Sequence, residues 1–178
     1  MGTERATRVV IAASAIIIST FISQPLHAAD GPSPAVSNAP RRRVVVSIPD
    51  RMLAVIENDD VVTVFPVAVG KATTPSPVGT FTIVNRVSNP TYYARGGKTV
   101  APGARNPVGT RWIGLSQKGY GIHGTDQPKS IGYAKSHGCI RLRNQDVERL
   151  FEQVRTGDVV ELHAERTSEI SRIFAESR

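Results

Sequence analysis

The stretch that most constrains the fold begins at Val44. Val44-Val45-Val46-Ser47-Ile48, residues 52–56 and residues 61–69 are successive runs of strand length, rich in β-branched side chains. Val and Ile lose rotamer freedom in a helix and pack well on a pleated sheet, so these runs predict strands. Pro49-Asp50 and Asn58-Asp59-Asp60 separate them with turn chemistry, which reads as a meander of hairpins. Residues 79–84 follow a Thr74-Pro75-Ser76-Pro77 loop as a fourth strand. Residues 111–115, 121–123, 138–142 and 159–162 read as further strands. Residues 86–110 hold Pro and Gly with little periodicity and read as one long loop, a feature usually tied to function in a compact domain.

One helix stands out. Val147, Leu150, Phe151 and Val154 recur at i, i+3, i+4 and i+7, with Asn144 as the expected N-cap and Thr156-Gly157-Asp158 as the stop. Ile170, Ile173 and Phe174 predict a short helix in an otherwise polar tail, residues 164–178. The expected fold class is mostly β (α+β): a mixed sandwich or barrel-like sheet, one packed helix and a short C-terminal helix. A chain of 178 residues has room for one such core.

The N-terminal segment has a different character. Arg5 and Arg8 precede residues 9–22, which carry no charge, and Pro25 leads into Leu26-His27-Ala28-Ala29. This is the pattern of an export signal over residues 1–29, and the apolar run is shorter than the roughly 20 residues that span a bilayer. The chain is therefore expected in the periplasm or cell envelope, touching the membrane only if the segment stays uncleaved. Residues 30–41 form a Pro/Ala/Ser linker, and Arg41-Arg42-Arg43 at its end reads as a solvated tether.

The formal charge of +7 points to an anionic partner. It is concentrated: residues 86–141 hold nine Lys and Arg against one acid. Nucleic acid is excluded as that partner, because an exported protein seldom meets it and aromatics, at 6%, are too few for base-stacking platforms. Carboxylates of a peptide substrate fit better. Most of the 15 glycines fall in the same region, between Gly70 and Gly138, where backbone must approach something closely.

A single cysteine excludes an intramolecular disulfide and any multi-Cys metal site. A lone thiol is commonly a small buried hydrophobe. Here Ser136-His137-Gly138-Cys139-Ile140-Arg141 surrounds it with polar, basic and permissive residues, which suits an activated nucleophile. Gly138 lets the chain turn so that backbone N–H groups can face a developing oxyanion. Two histidines are candidate bases: His137, two residues before the thiol, and His123, in Gly121-Ile122-His123-Gly124-Thr125. His163 has no chemical context. His123, His137 and Cys139 together would also make a zinc ligand set, although no HExxH helix or paired-Cys knuckle accompanies them.

Ile122-His123-Gly124-Thr125 followed by Ser136-His137-Gly138-Cys139-Ile140-Arg141-Leu142 resembles the signature of L,D-transpeptidase catalytic domains, cysteine-dependent enzymes that cross-link peptidoglycan. The resemblance extends over residues 42–163 and includes Pro75-Ser76-Pro77-Val78-Gly79-Thr80-Phe81 and Gly157-Asp158-Val159-Val160. It implies Cys139 as nucleophile and His123 as general base. It implies Ser136, His137 and Gly124 as residues that shape the site, and the N–H groups of Gly138 and Cys139 as oxyanion donors. Arg141 would fix the Cys loop or meet an acidic substrate group. Asp126 is near enough in sequence to orient His123, but a backbone carbonyl fills that role in the family. The short segment 126–135 would form a compact lid.

The implied reaction needs no metal or other cofactor. A thioester forms on Cys139 with release of D-alanine from a tetrapeptide stem, and a diamino-acid amine of a second stem takes the acyl group, giving a 3→3 cross-link. Water as acceptor would make an L,D-carboxypeptidase or endopeptidase, and a protein amine an anchoring ligase. A peptidoglycan-binding module with an inert thiol is the non-catalytic alternative. Family members of this size are commonly acylated by carbapenems.

Overall fold

The structure, a computed structural model, describes residues 41–94 and 96–175. The expected export signal and nearly all of the expected linker lie outside the described residues. The strands are β1 (Arg42–Ser47), β2 (Met52–Glu57), β3 (Asp60–Pro66), β4 (Val69–Gly70), β5 (Gly79–Ser88), β6 (Tyr92–Tyr93), β7 (Thr99–Val100), β8 (Arg111–Leu115), β9 (Gly121–His123), β10 (Ala134–Ser136), β11 (Ile140–Arg141) and β12 (Val159–His163). Two α-helices, α1 (Asn144–Gln153) and α2 (Ser168–Ala175), complete the set. Eight strands form one sheet in the order β11-β9-β8-β5-β12-β1-β2-β3. The β1–β12 and β9–β11 pairs are parallel and the other neighbours antiparallel.

The valine run of β1 is apolar without alternation because this strand is covered on both faces. Val44 and Val46 enter a core with Leu53, Val55, Phe65 and the α1 residues Val147 and Leu150. Val45 points the other way, to Ala54, Ile56 and the α2 residues Ile170, Ile173 and Phe174. Burying each such side chain contributes about 1.5–3 kcal/mol. The β2–β3 hairpin turns through Asn58 (φ 51) and Asp59 (φ 74), with Glu57 opposite Asp60. A two-residue loop with positive φ at both positions is the connection whose twist matches its strands.

Several expectations are corrected. Arg42 and Arg43 are not a solvated tether but the start of β1. Arg42 pairs with Glu57 at 2.7 Å and Asp158 at 3.6 Å, and Arg43 with Glu161 at 3.3 Å and Glu169 at 3.0 Å. The run 61–69 is not one strand. Pro66 has no N–H to continue the ladder, and the chain leaves β2 there; Ala68 then bridges Arg141 and β4 pairs with β10. The expected strand 138–142 is only Ile140–Arg141, because the residues before it form a turn around the thiol.

The long loop 86–110 is partly strand. Residues up to Ser88 extend β5 along β8, and β6 and β7 form a small hairpin. Its remainder is tied by Asn106, 1% exposed. The Asn106 Nδ2 donates to the Pro90 carbonyl at 2.8 Å and the Ala101 carbonyl at 3.2 Å, and its Oδ1 accepts from the Val108 N–H at 3.0 Å. Replacing it by Ala strands these buried backbone groups, so Asn106→Ala is expected to lower the unfolding free energy by roughly 1–3 kcal/mol in urea titrations.

Candidate active site

β9 ends on His123, and β11 lies beside it in parallel with Ile122 opposite Ile140 and His123 opposite Arg141. Cys139, the residue before β11, is thereby carried to the level of Gly121. Its thiol is free and half-buried, and donates weakly to the Gly119 carbonyl at 3.8 Å. Burial pushes the Cys139 thiol up from its ordinary value; the Gly121 backbone and the charge of Arg141 oppose this to a lesser extent. Cys139 therefore rests as a thiol.

His123 is buried, with 5% exposure. Its Nδ1 lies 2.5 Å from the Gly124 carbonyl. A carbonyl only accepts, so Nδ1 carries the proton and Nε2 keeps a lone pair. Burial lowers the imidazole from 6.5 to about 4; the carbonyl bond opposes this, and Arg141 adds to it. The orienting group is thus the Gly124 carbonyl, while Asp126 is exposed.

The turn between β10 and β11 is shaped by two residues. Ser136, fully buried, donates its hydroxyl to the Cys139 carbonyl at 2.6 Å and accepts from the Gly138 N–H at 3.0 Å. Gly138 has φ +114, and a Cβ there would stand 2.7 Å from the Tyr120 ring and 3.2 Å from the Pro75 carbonyl. The Ser136 carbonyl in turn accepts from the Lys71 N–H at 3.1 Å and the Thr74 hydroxyl at 3.3 Å, which binds the Pro-rich loop to the thiol turn.

One expectation changes here. The Gly138 N–H is already engaged by Ser136 Oγ, so it does not face an incoming group. The Cys139 N–H has no hydrogen-bond partner among the described residues and is the donor the turn leaves open.

His137 is exposed on the bend. Among the described residues no group of three His, Cys, Asp or Glu side chains is gathered as a metal site requires, so the zinc set is not assembled. His163 bonds Glu161 on its own strand at 3.1 Å. Arg141 is held through its backbone to Ala68 by two bonds of 2.9 Å. Its Nε is buried without a hydrogen-bond partner, and the side chain makes no ion pair among the described residues. The lid contains one short turn of 3-10 helix, Pro128–Ser130.

Asn144 is not an N-cap. Arg143 occupies that position without a side-chain bond. The Asn144 Oδ1 instead accepts from the Thr110 N–H at 3.3 Å and the Thr125 N–H at 3.1 Å, tying two loops beside His123. A Cβ on Gly124 would stand 2.2 Å from that oxygen, which is why glycine follows the histidine. Trp112, opposite His123 in the β8–β9 register, stacks on it with centroids 5.6 Å apart and planes 21° apart. The roles of both escaped the sequence reading, which took Asn144 as a cap and placed Trp112 only in a strand.

The buried imidazole has a consequence for stability. Below 6.5 the unfolded chain protonates His123 while the folded chain resists until about 4, so stability is lost as pH falls through that window. The loss is about 3 kcal/mol at most. Urea midpoints of the native chain minus those of His123→Gln are expected to fall between pH 7 and pH 4 and to level off below.

Comparisons with known proteins point to one family. A family model described as YkuD, L,D-transpeptidase catalytic domain, matches residues 41–162. A Bacillus licheniformis protein named as the L,D-transpeptidase YkuD is 44% identical over 120 residues, which are 67% of this chain and 64% of that protein. Its Bacillus subtilis namesake is 42% identical over 120 residues, 67% of this chain and 65% of that one. The chain therefore spans just under two thirds of the length of these relatives. Among solved structures, an L,D-transpeptidase from Mycobacterium smegmatis shares the fold with a TM-score of 0.60 at 20% identity, over 70% of this chain and 59% of that one. The family model alone spans well over half of the sequence, and on that match the chain belongs to the YkuD family of L,D-transpeptidase catalytic domains.

Proposed function

We propose that this chain is an exported enzyme that forms 3→3 peptidoglycan cross-links through a thioester on Cys139, with His123 as general base. The observation that carries the reading is the β9–β11 pairing, which sets a carbonyl-pinned imidazole at the end of β9 and a free thiol just ahead of the neighbouring strand, level with Gly121. At neutral pH both groups are uncharged: burial holds the imidazole near 4 and pushes the thiol up. A neutral imidazole is ready to accept a proton, and a thiol still has one to give.

The steps follow from that resting state. Sγ attacks the carbonyl carbon of the third residue of a tetrapeptide stem while its proton passes to His123 Nε2. The Cys139 N–H donates to the resulting oxyanion, an interaction worth on the order of 10²–10³ in rate where it has been removed elsewhere. Collapse breaks the C–N bond, and His123 returns the proton to the departing D-alanine amine. The neutral side-chain amine of a second stem then attacks the thioester carbon and gives its proton to His123. The C–S bond breaks, and the sulfur takes that proton back.

Stem peptides carry carboxylates, and the charge distribution favours them. Lys98, Arg105, Lys118, Lys129 and Lys135 are exposed in the stretch that holds both candidate catalytic residues, and none makes an ion pair among the described residues. Their attraction for an anionic stem is screened by salt, so the KM for stem peptide is expected to rise between low and 0.5 M salt, with kcat little changed.

Mass spectrometry after incubation with a carbapenem tests the nucleophile. Native protein is expected to gain one adduct and a folded Cys139→Ala variant none. His123→Ala should slow acylation about 10²–10⁴-fold, with His163→Ala near the native rate. Muropeptide analysis with tetrapeptide stems tests the acceptor. Dimers support the cross-linking reading, whereas tripeptides alone mean that water takes the acyl group.

A further inference from the structure

The stacking of Trp112 on His123 depends on features drawn from three strands, β5, β8 and β9. Ile83 lies opposite Leu115 and Asn85 opposite Gly114, so the β5–β8 register shifts at Val84. Strand side chains alternate, and the extra residue reverses which face the following ones occupy. Ile83 and Leu115 belong to the core. Beyond the bulge, Asn85 is turned to the opposite face, which Trp112 shares, and its Oδ1 accepts from the indole Nε1–H at 3.1 Å.

The indole also needs room. A Cβ on Gly114 would stand 2.3 Å from the Asn85 Oδ1 and 3.0 Å from the indole Nε1. A Cβ on Gly121 would stand 2.6 Å from the Trp112 ring. These two glycines face each other across β8 and β9, so together they leave a shallow seat for the ring. Trp112 is not among the core residues: it is half-buried, and its bond to Asn85 is exposed. A bulge, an amide and a facing glycine pair thus serve one ring, and its stacking partner is His123.

We propose that Trp112, held by Asn85, is a positioning residue that fixes the plane of the His123 ring and keeps Nε2 aimed at the Cys139 thiol. The inference rests on the reading of His123 as the base. The Gly124 carbonyl restrains the imidazole at Nδ1 alone, and one hydrogen bond leaves the ring free to tilt about it. The indole face removes that freedom and excludes water from that side of the ring. The groups packed around His123 are few. β8 presents the uncharged Trp112, β11 presents Arg141, the turn before it carries the thiol, and α1 contributes the uncharged Asn144. Among the described residues Arg141 is the only charge acting on the ring, so removing the indole alters hydration and tilt and leaves those charges as they were.

The test is the pH dependence of Cys139 acylation by a carbapenem, with His123 followed by its ring-proton NMR signal. Trp112→Ala is expected to slow the maximal rate about tenfold or more and to move the acid limb and the His123 titration up by about one pH unit, toward the ordinary histidine value. Trp112→Phe, which keeps a stacking face, should retain most of the rate and the native limb. Asn85→Leu, an exposed change that keeps the fold testable if Trp112→Ala does not fold, should fall between. The inference is overturned if folded Trp112→Ala, or failing that Asn85→Leu, keeps the native rate and limb. It is equally overturned if Trp112→Ala and Trp112→Phe lose the same rate with no shift of the limb, since Trp112 would then act by touching substrate. Native-rate acylation of a folded His123→Ala variant would overturn the assignment of the base instead, and so separates the two failures.

Discussion

Two residue pairs, Ile122 with Ile140 and His123 with Arg141, join β9 to β11 in parallel, and the site exists only while they hold. Parallel neighbours cannot be joined by a tight hairpin and need a crossover of about a dozen residues or more. Here residues 124–139 make that crossover, and so short a ladder offers little pairing of its own to fix it. The fixing comes from side chains. Asn144 ties Thr110 and Thr125 at the start of the crossover, and Ser136 ties Gly138 and Cys139 to each other at its end. Ala68 closes on the far side of Arg141, which makes β11 a strand held from both flanks. The Pro-rich loop at 74–77 then backs the thiol turn through the Ser136 and Pro75 carbonyls.

The electrostatics follow from that enclosure. Arg141 is the register partner of His123 and lies two residues after Cys139, and its charge draws both groups downward. For the thiol this opposes burial, and for the imidazole it adds to burial. The outcome is a neutral base beside a neutral thiol, with the base the more strongly altered of the two.

What the sequence disclosed depended on how local the cause was. The strands 111–115 and 121–123 were legible to the residue, because Trp112, Ile113 and Leu115 run into the polar Ser116-Gln117-Lys118-Gly119 turn and Ile122-His123 lies between two glycines. The helix after Leu142 was legible from its apolar spacing, but its first residue was misread. Asn144 has the side chain of a cap, yet its oxygen is taken by backbone amides 34 and 19 residues away. The brevity of β11 is set by the turn at Gly138, whose φ +114 no periodicity reports. Cys139 and His123 were legible as a pair only through the motif that joins them. The part of Trp112 was hidden because it depends on the bulge at Val84, which reverses the facing of Asn85 and cannot be read from an alternating pattern. The Arg41-Arg42-Arg43 run looked like tether because charge alone does not say whether acids wait on adjoining strands.

Those acids bear on how β1 finds its place. Val44, Val45 and Val46 are chemically identical, so sliding the strand by one residue would still put valine into both cores, and the hydrophobic penalty falls only at the end of the run, where Arg43 or Ser47 would take a buried valine's place. The residues that differ from one face to the other are the two arginines before them. Arg42 is on the side of Val44 and reaches Glu57 and Asp158; Arg43 is on the side of Val45 and reaches Glu161 and the α2 residue Glu169. Ion pairs near the surface contribute about 0–1 kcal/mol each to stability. Their larger effect is as an address: a slipped strand would carry each guanidinium to the wrong face, away from its carboxylates.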